Sequence, residues 1–125
     1  MNEIKVLIVD DDPIFRFLAR TILESASDSI CLFTITEAEK GLDGVALVKN
    51  NMFDVVIMDL ILPDINGLES VKRIREFNKE IAIIMVTGTP SLETSMEADR
   101  LNVFEFFEKP FQKDIFIEAI KKACL

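Results

Sequence analysis

Four apolar runs in this chain each stop at a residue able to meet a metal ion or a phosphate. Ile4 to Val9 leads into Asp10-Asp11-Asp12, and Val55 to Met58 into Asp59. Ile81 to Val86 leads into Thr87, and the aromatic-rich Val103 to Phe107 into Glu108 and Lys109. In open parallel α/β sheets, ligands bind beyond the carboxyl ends of the strands, so these side chains would line one edge. Acidic groups there would lie a few ångströms apart. Two unit charges 4 Å apart repel by about 1 kcal/mol in bulk water and about 4 kcal/mol at an effective dielectric near 20. A cation relieves that strain. Oxygen donors without sulfur or imidazole select a hard ion, and Mg²⁺ keeps several waters while needing only one or two carboxylates. Lys109, a compact point charge, suits a phosphate oxygen, and the Thr87 hydroxyl can donate to the same group. Each residue also has a plainer reading: Asp12 before Pro13 caps a helix, Thr87 is a β-branched strand residue, and Lys109 is a solvated charge. Capping does not account for Asp10, Asp11 or Asp59, and packing does not account for all the placements together.

Composition removes several other chemistries. The chain has no histidine, so His-based catalysis and His metal ligation are excluded, and it cannot itself donate a phosphohistidine. Cys31 and Cys124 fit neither a CxxC redox pair nor a zinc pattern and read as free thiols. Net charge is −8, from 22 acidic and 14 basic residues, and no basic run outlasts a pair such as Lys121-Lys122. Direct nucleic-acid binding is not expected. At 125 residues the chain has room for one domain, 1–125. Its longest apolar stretches, near six residues as in Ile81 to Val86, fall far short of the roughly 20 that span a bilayer. Met1-Asn2-Glu3 lacks a signal-peptide start, so the expected location is cytoplasmic, away from membranes.

The elements that must position these residues alternate in type. Short β-branched runs mark strands over Ile4–Val9, Ile30–Thr36, Val55–Met58, Ile81–Val86 and Val103–Phe107. Between and after them, helical spacing joins Phe15, Leu18, Ala19, Ile22 and Leu23, then residues 42–49, then Leu68, Val71, Ile74 and Phe77, and finally Phe116, Ala119, Ile120 and Ala123. The helix over Ser91 to Arg100 has only Leu92, Met96 and Ala98 as apolar anchors. The pattern predicts an α/β fold, a parallel sheet with helices on both faces, in which that fourth helix is held weakly.

At these residues the chain resembles the receiver domain of two-component response regulators, over nearly its whole length. Val6 to Pro13 is similar to the family's acid-pair strand, and Val56-Ile57-Met58-Asp59-Leu60, with Pro63 and Gly67, to its phosphoacceptor strand and loop. Val86-Thr87-Gly88 and Phe107-Glu108-Lys109-Pro110-Phe111 are similar to its hydroxyl and lysine segments. The resemblance implies a doubly wound, flavodoxin-like (βα)5 sandwich with strand order 2-1-3-4-5. It also implies that Asp59 takes a phosphoryl group from the phosphohistidine of a sensor histidine kinase or phosphotransfer protein. Asp11 and Asp59 would bind Mg²⁺ with the backbone carbonyl of Ile61, and Asp10 mainly through water. Thr87, the Gly88 amide and Lys109 would hold phosphoryl oxygens. The Lys109-Pro110 peptide would be cis, and Phe106 would occupy the aromatic switch position. The domain would catalyse only its own phosphorylation and dephosphorylation.

Three rivals are weaker. A haloacid-dehalogenase-type phosphatase needs a second Asp two residues after its nucleophile, where this chain has Ile61. A pseudo-receiver that only binds partners would lack one of the key acids or the lysine. An FMN site would meet three carboxylates that repel its phosphate. The sequence leaves open the kinase, the output partner, and whether the receiver is free-standing or part of a longer protein. It also leaves open whether a monomer pairs through its fourth and fifth helices on phosphorylation.

Overall fold

The computed structural model describes residues 2–124. In chain order the elements are β1 (Asn2–Val9), α1 (Pro13–Ala26), β2 (Cys31–Ala38), α2 (Gly41–Asn50), β3 (Val55–Asp59), α3 (Gly67–Phe77), β4 (Ala82–Thr87), α4 (Leu92–Arg100), β5 (Glu105–Glu108) and α5 (Lys113–Cys124). The strands form one parallel sheet in the order β2-β1-β3-β4-β5. Side chains alternate across it. Ile4, Val6, Ile8, Ile57, Ile84 and Val86 pack under α1 and α5 with Phe15, Leu23 and Phe116. Leu7, Val9, Val56, Met58, Ile83 and Met85 pack on the other face with Val71, Ile74 and Ala98. Burial on both faces explains why β3, β4 and the second half of β1 read as continuous apolar runs, while the edge strands β2 and β5 carry polar residues.

Three of the helices, α1, α3 and α4, begin where the sequence supplies a capping side chain. Asp12 accepts from the Ile14 amide with Pro13 opening α1, and Asn66 accepts from Glu69 to open α3. Gly67 follows because nothing larger fits: a Cβ there would meet the Asp59 carbonyl oxygen at 2.1 Å. The first turn of α3 is thereby pressed against the end of β3.

Several boundaries and stripes differ from the sequence reading. On α1 the buried line is only Phe15, Ala19 and Leu23, while Leu18 is exposed and Ile22 half-buried. That flank of the helix lines an open groove opposite Pro110 and Phe111, which covers it only in part. On α3, Phe77 is exposed at the last turn, and Arg75 takes the buried place instead. Its guanidinium donates to the carbonyls of Ile81 (2.8 Å), Leu101 (2.8 Å), Asn102 (3.0 Å) and Asn78 (3.3 Å). β5 begins at Glu105, not Val103, because the Val103 amide bonds back to Ala98 and closes α4, with Asn102 in the left-handed region at φ 57°. As expected, α4 is thinly anchored: Ala98 is buried while Leu92 and Met96 face solvent.

Arg75→Leu strips the partners from these backbone carbonyls. Urea denaturation is expected to show a loss of about 2–4 kcal/mol, since hydrogen bonds from a charged group are individually strong. Hydrogen exchange should place the largest loss of protection in α4 and the turn after it. Unchanged stability would contradict this role.

Candidate phosphoryl and metal site

β1 and β3 are neighbours in register, Val9 opposite Met58, so the residues that follow them stand side by side. Asp10, Asp11 and Asp59 each offer a carboxylate oxygen, and these atoms all lie within 4.8 Å of one another. Asp10 and Asp59 are buried, at 1% and 7% exposure, whereas Asp11 is exposed at the rim. Lys109 leans over them: its Nζ lies 2.7 Å from Asp10 Oδ2 and 3.7 Å from Asp59 Oδ1. One ammonium beside three carboxylates leaves the cluster short of positive charge. Burial, reinforced by the negative charge of Asp10, pushes the Asp59 carboxyl up to about 6, against the opposing pull of Lys109 and the amides of Leu60 and Ile61.

Thr87 ends β4 fully buried, and its Oγ1 accepts from the Thr89 amide at 3.1 Å. Gly88 is exposed in the next loop, with open space where a Cβ would stand. The Lys109 amide donates to the Thr87 carbonyl at 2.8 Å, which ties the two segments together, and the Lys109-Pro110 peptide is cis. Ile61, exposed, lies just past β3. Phe106 is set apart from the cluster. It is half-buried among the core residues under α4 and lines a groove of about 490 Å³ with Met96, Ala98, Val103 and Phe104.

Supporting residues emerge that the sequence reading did not single out. Arg16 donates to the Asp10 carbonyl (2.7 Å) and to Glu37 (3.0 Å), which fixes the turn that carries the acids. Asp64 accepts from the amides of Gly41 (2.8 Å) and Leu42 (2.9 Å), tying the loop after β3 to the start of α2. Phe15 lies under Lys109, with Nζ 4.1 Å from the ring centroid. Helical spacing marked Phe15 as core, and nothing in the sequence pairs it with Lys109.

The titration of Asp59 has a sign that can be tested. Its folded value of about 6 lies above the ordinary 3.8, so the metal-free folded chain binds more protons than the unfolded one between those values. Stability therefore falls as pH rises through that window and stays lower above it. Asp59→Asn removes the buried charge and is expected to raise metal-free stability at pH 7.5 by on the order of 1–2 kcal/mol, with solvent screening allowed for. It should have little effect at pH 4. Denaturant titrations at the two pH values check this, and an equal effect at both would contradict it.

Comparison with known proteins agrees with the fold. A profile of the response regulator receiver domain matches residues 6–121. The chemotaxis protein CheY of Bacillus subtilis is 30% identical over 118 residues, 94% of this chain and 95% of its own length. Sporulation initiation phosphotransferase F of the same organism is 30% identical over 122 residues, covering 98% and 94%. A CheY-like response regulator receiver domain protein from Methanospirillum hungatei superposes with a TM-score of 0.89 at 28% identity, over 97% of this chain and 93% of that one. The chain belongs to the response regulator receiver domain family of two-component signalling.

Proposed function

We propose that residues 1–125 act as a single receiver unit that takes a phosphoryl group on Asp59. The donor is the phosphohistidine of a sensor histidine kinase or phosphotransfer protein in the cytoplasm. The observation that carries this reading is the convergence of three carboxylates with Lys109, whose Nζ lies 2.7 Å from Asp10 and 3.7 Å from Asp59. The donor set is all oxygen and deficient in positive charge, which fits a hard cation. Asp11, Asp59 and the Ile61 carbonyl would hold Mg²⁺ directly and Asp10 through water, and the bound ion would neutralise charge on the transferring group.

The chain's own residues supply the rest. A carboxylate oxygen of Asp59 attacks phosphorus in line. The new O–P bond forms as the N–P bond breaks, and its electron pair returns to the donor's histidine nitrogen. Lys109 shifts toward a phosphoryl oxygen, where a fixed positive charge stabilises the developing negative charge. Thr87 gives up its bond with Thr89 and donates its hydroxyl to another oxygen, with the Gly88 amide beside it. Water later cleaves the acyl phosphate, restoring the carboxylate and releasing phosphate, so the chemistry acts on the chain itself. Movement of Thr87 draws on the loop before α4, and Phe106 in the α4–β5 groove is the residue we assign to the switch. The output is a protein partner or domain. No helix among the described residues is long and apolar enough to cross a membrane, and a net charge of −8 disfavours nucleic acid. The resting chain acts as a monomer, with α4 and α5 as the faces on which phosphorylation could pair two copies.

Acetyl phosphate with Mg²⁺ is expected to add one phosphate by intact mass, and Asp59→Asn or EDTA to abolish the gain. Millimolar Mg²⁺ alone should raise the melting temperature of the parent chain, because it relieves repulsion only in the folded state. Absence of any mass gain from a folded protein would overturn the reading.

A further inference from the structure

Lys109 is held from two directions, and phosphoryl transfer uses only one of them. Its carboxylate partners lie on one side; on another, its Nζ sits 4.1 Å from the centroid of the Phe15 ring. That ring is firmly seated, with Phe15 only 7% exposed. Phe111 packs edge-on against it, with centroids 5.9 Å apart and planes at 74°. Phe111 in turn lies 4.3 Å from Phe116 at 32°, and Phe116 is fully buried in the core beneath α5. A row of rings thus runs from the interior to the ammonium group. It also joins the two connections that carry the site: Phe15 lies in the first turn after the acids, and Phe111 lies two residues past Lys109.

A lysine stem has four carbons and many rotamers, and ordering it costs entropy. The negative face of an aromatic ring attracts a cation within about 6 Å, most strongly where water is excluded. The Lys109 side chain is 23% exposed, so solvent competes for it. We propose that Phe15 is a positioning residue for phosphoryl transfer. Its ring face keeps the Lys109 ammonium over the carboxylates, in place before a phosphoryl group arrives. The proposal rests on the reading of Asp59 as phosphoacceptor.

Ring electronics can be separated from packing. Phenylalanine carrying one, two and five ring fluorines, placed at position 15 by amber suppression, keeps the shape while weakening the negative face stepwise. The phosphorylation rate with acetyl phosphate at saturating Mg²⁺ is expected to fall in that order, by about fivefold at the last member. The melting temperature and the Kd for Mg²⁺ should hold. In the metal-free protein, the NMR signals of the Lys109 ε-methylene should show rising mobility along the same series. Phe15→Leu, which fills space without a ring, should match the last member in rate and in Lys109 mobility. A rate and Lys109 signals indifferent to fluorination would overturn the role of the ring. If the parent chain takes no phosphate, the reading of Asp59 falls, and the Lys109 signals alone then decide whether the ring positions the ammonium.

Discussion

Asp10, Asp11 and Asp59 present oxygens within 4.8 Å of one another, a spacing at which like charges repel by about 3 kcal/mol per pair at an effective dielectric near 20. Much of the architecture around the sheet edge serves to hold that arrangement. Adjacency of β1 and β3 brings the acids together, and Lys109 comes from β5, three positions away in the sheet from β1. At about 4.8 Å per step that is roughly 14 Å, further than a lysine side chain reaches. The span is closed by the lysine together with the aspartate side chains that reach toward it, from a backbone that the bond between the Lys109 amide and the Thr87 carbonyl keeps beside the end of β4.

The rest of the molecule supplies the rigidity this needs. Two apolar layers clamp the sheet from both faces, and β3, β4 and the second half of β1 are almost wholly buried between them. Gly67 lets α3 press against the carbonyl of Asp59 with no intervening side chain. Arg16 and Asp64 pin the turns after β1 and β3 through backbone atoms. The strand that carries Asp59 is thus fixed from its neighbours on either side, while among the described residues the Thr87 hydroxyl pairs with the loop residue Thr89 alone.

The strands and the acids were legible in the sequence for one reason: a strand buried on both faces must be apolar throughout, so a charged residue that ends it stands out. Asp10 and Asp59 were visible in that way, Lys109 stood at the end of an aromatic-rich run, and the order of the motifs pointed to the family. Helix faces were less legible. Periodicity counted Leu18 and Phe77 as core, yet both stand at the rims of their helices and stay largely exposed. Arg75 and Asp64 were invisible because their partners are backbone carbonyls and amides, which carry no residue-type signal. Phe15 and Lys109 are 94 positions apart, a pairing that only the closed sheet creates.

The clamp formed by Arg75 has a consequence for α4. Bonds to Leu101 and Asn102 rivet the chain just past the helix's C-terminal end, and buried Ala98 sits one turn away. At the opposite end, the side-chain hydrogen bonds among the described residues are the capping bonds between Ser91 and Thr94, which stay within the helix. Nine residues make an arm of roughly 13 Å, so a tilt of about 10° about the rivet sweeps its far tip by about 2 Å. The exposed Leu92 rides on that tip, a few residues from Thr87. A small shift of the loop that joins Thr87 to Ser91 is thereby magnified at the far end of the helix.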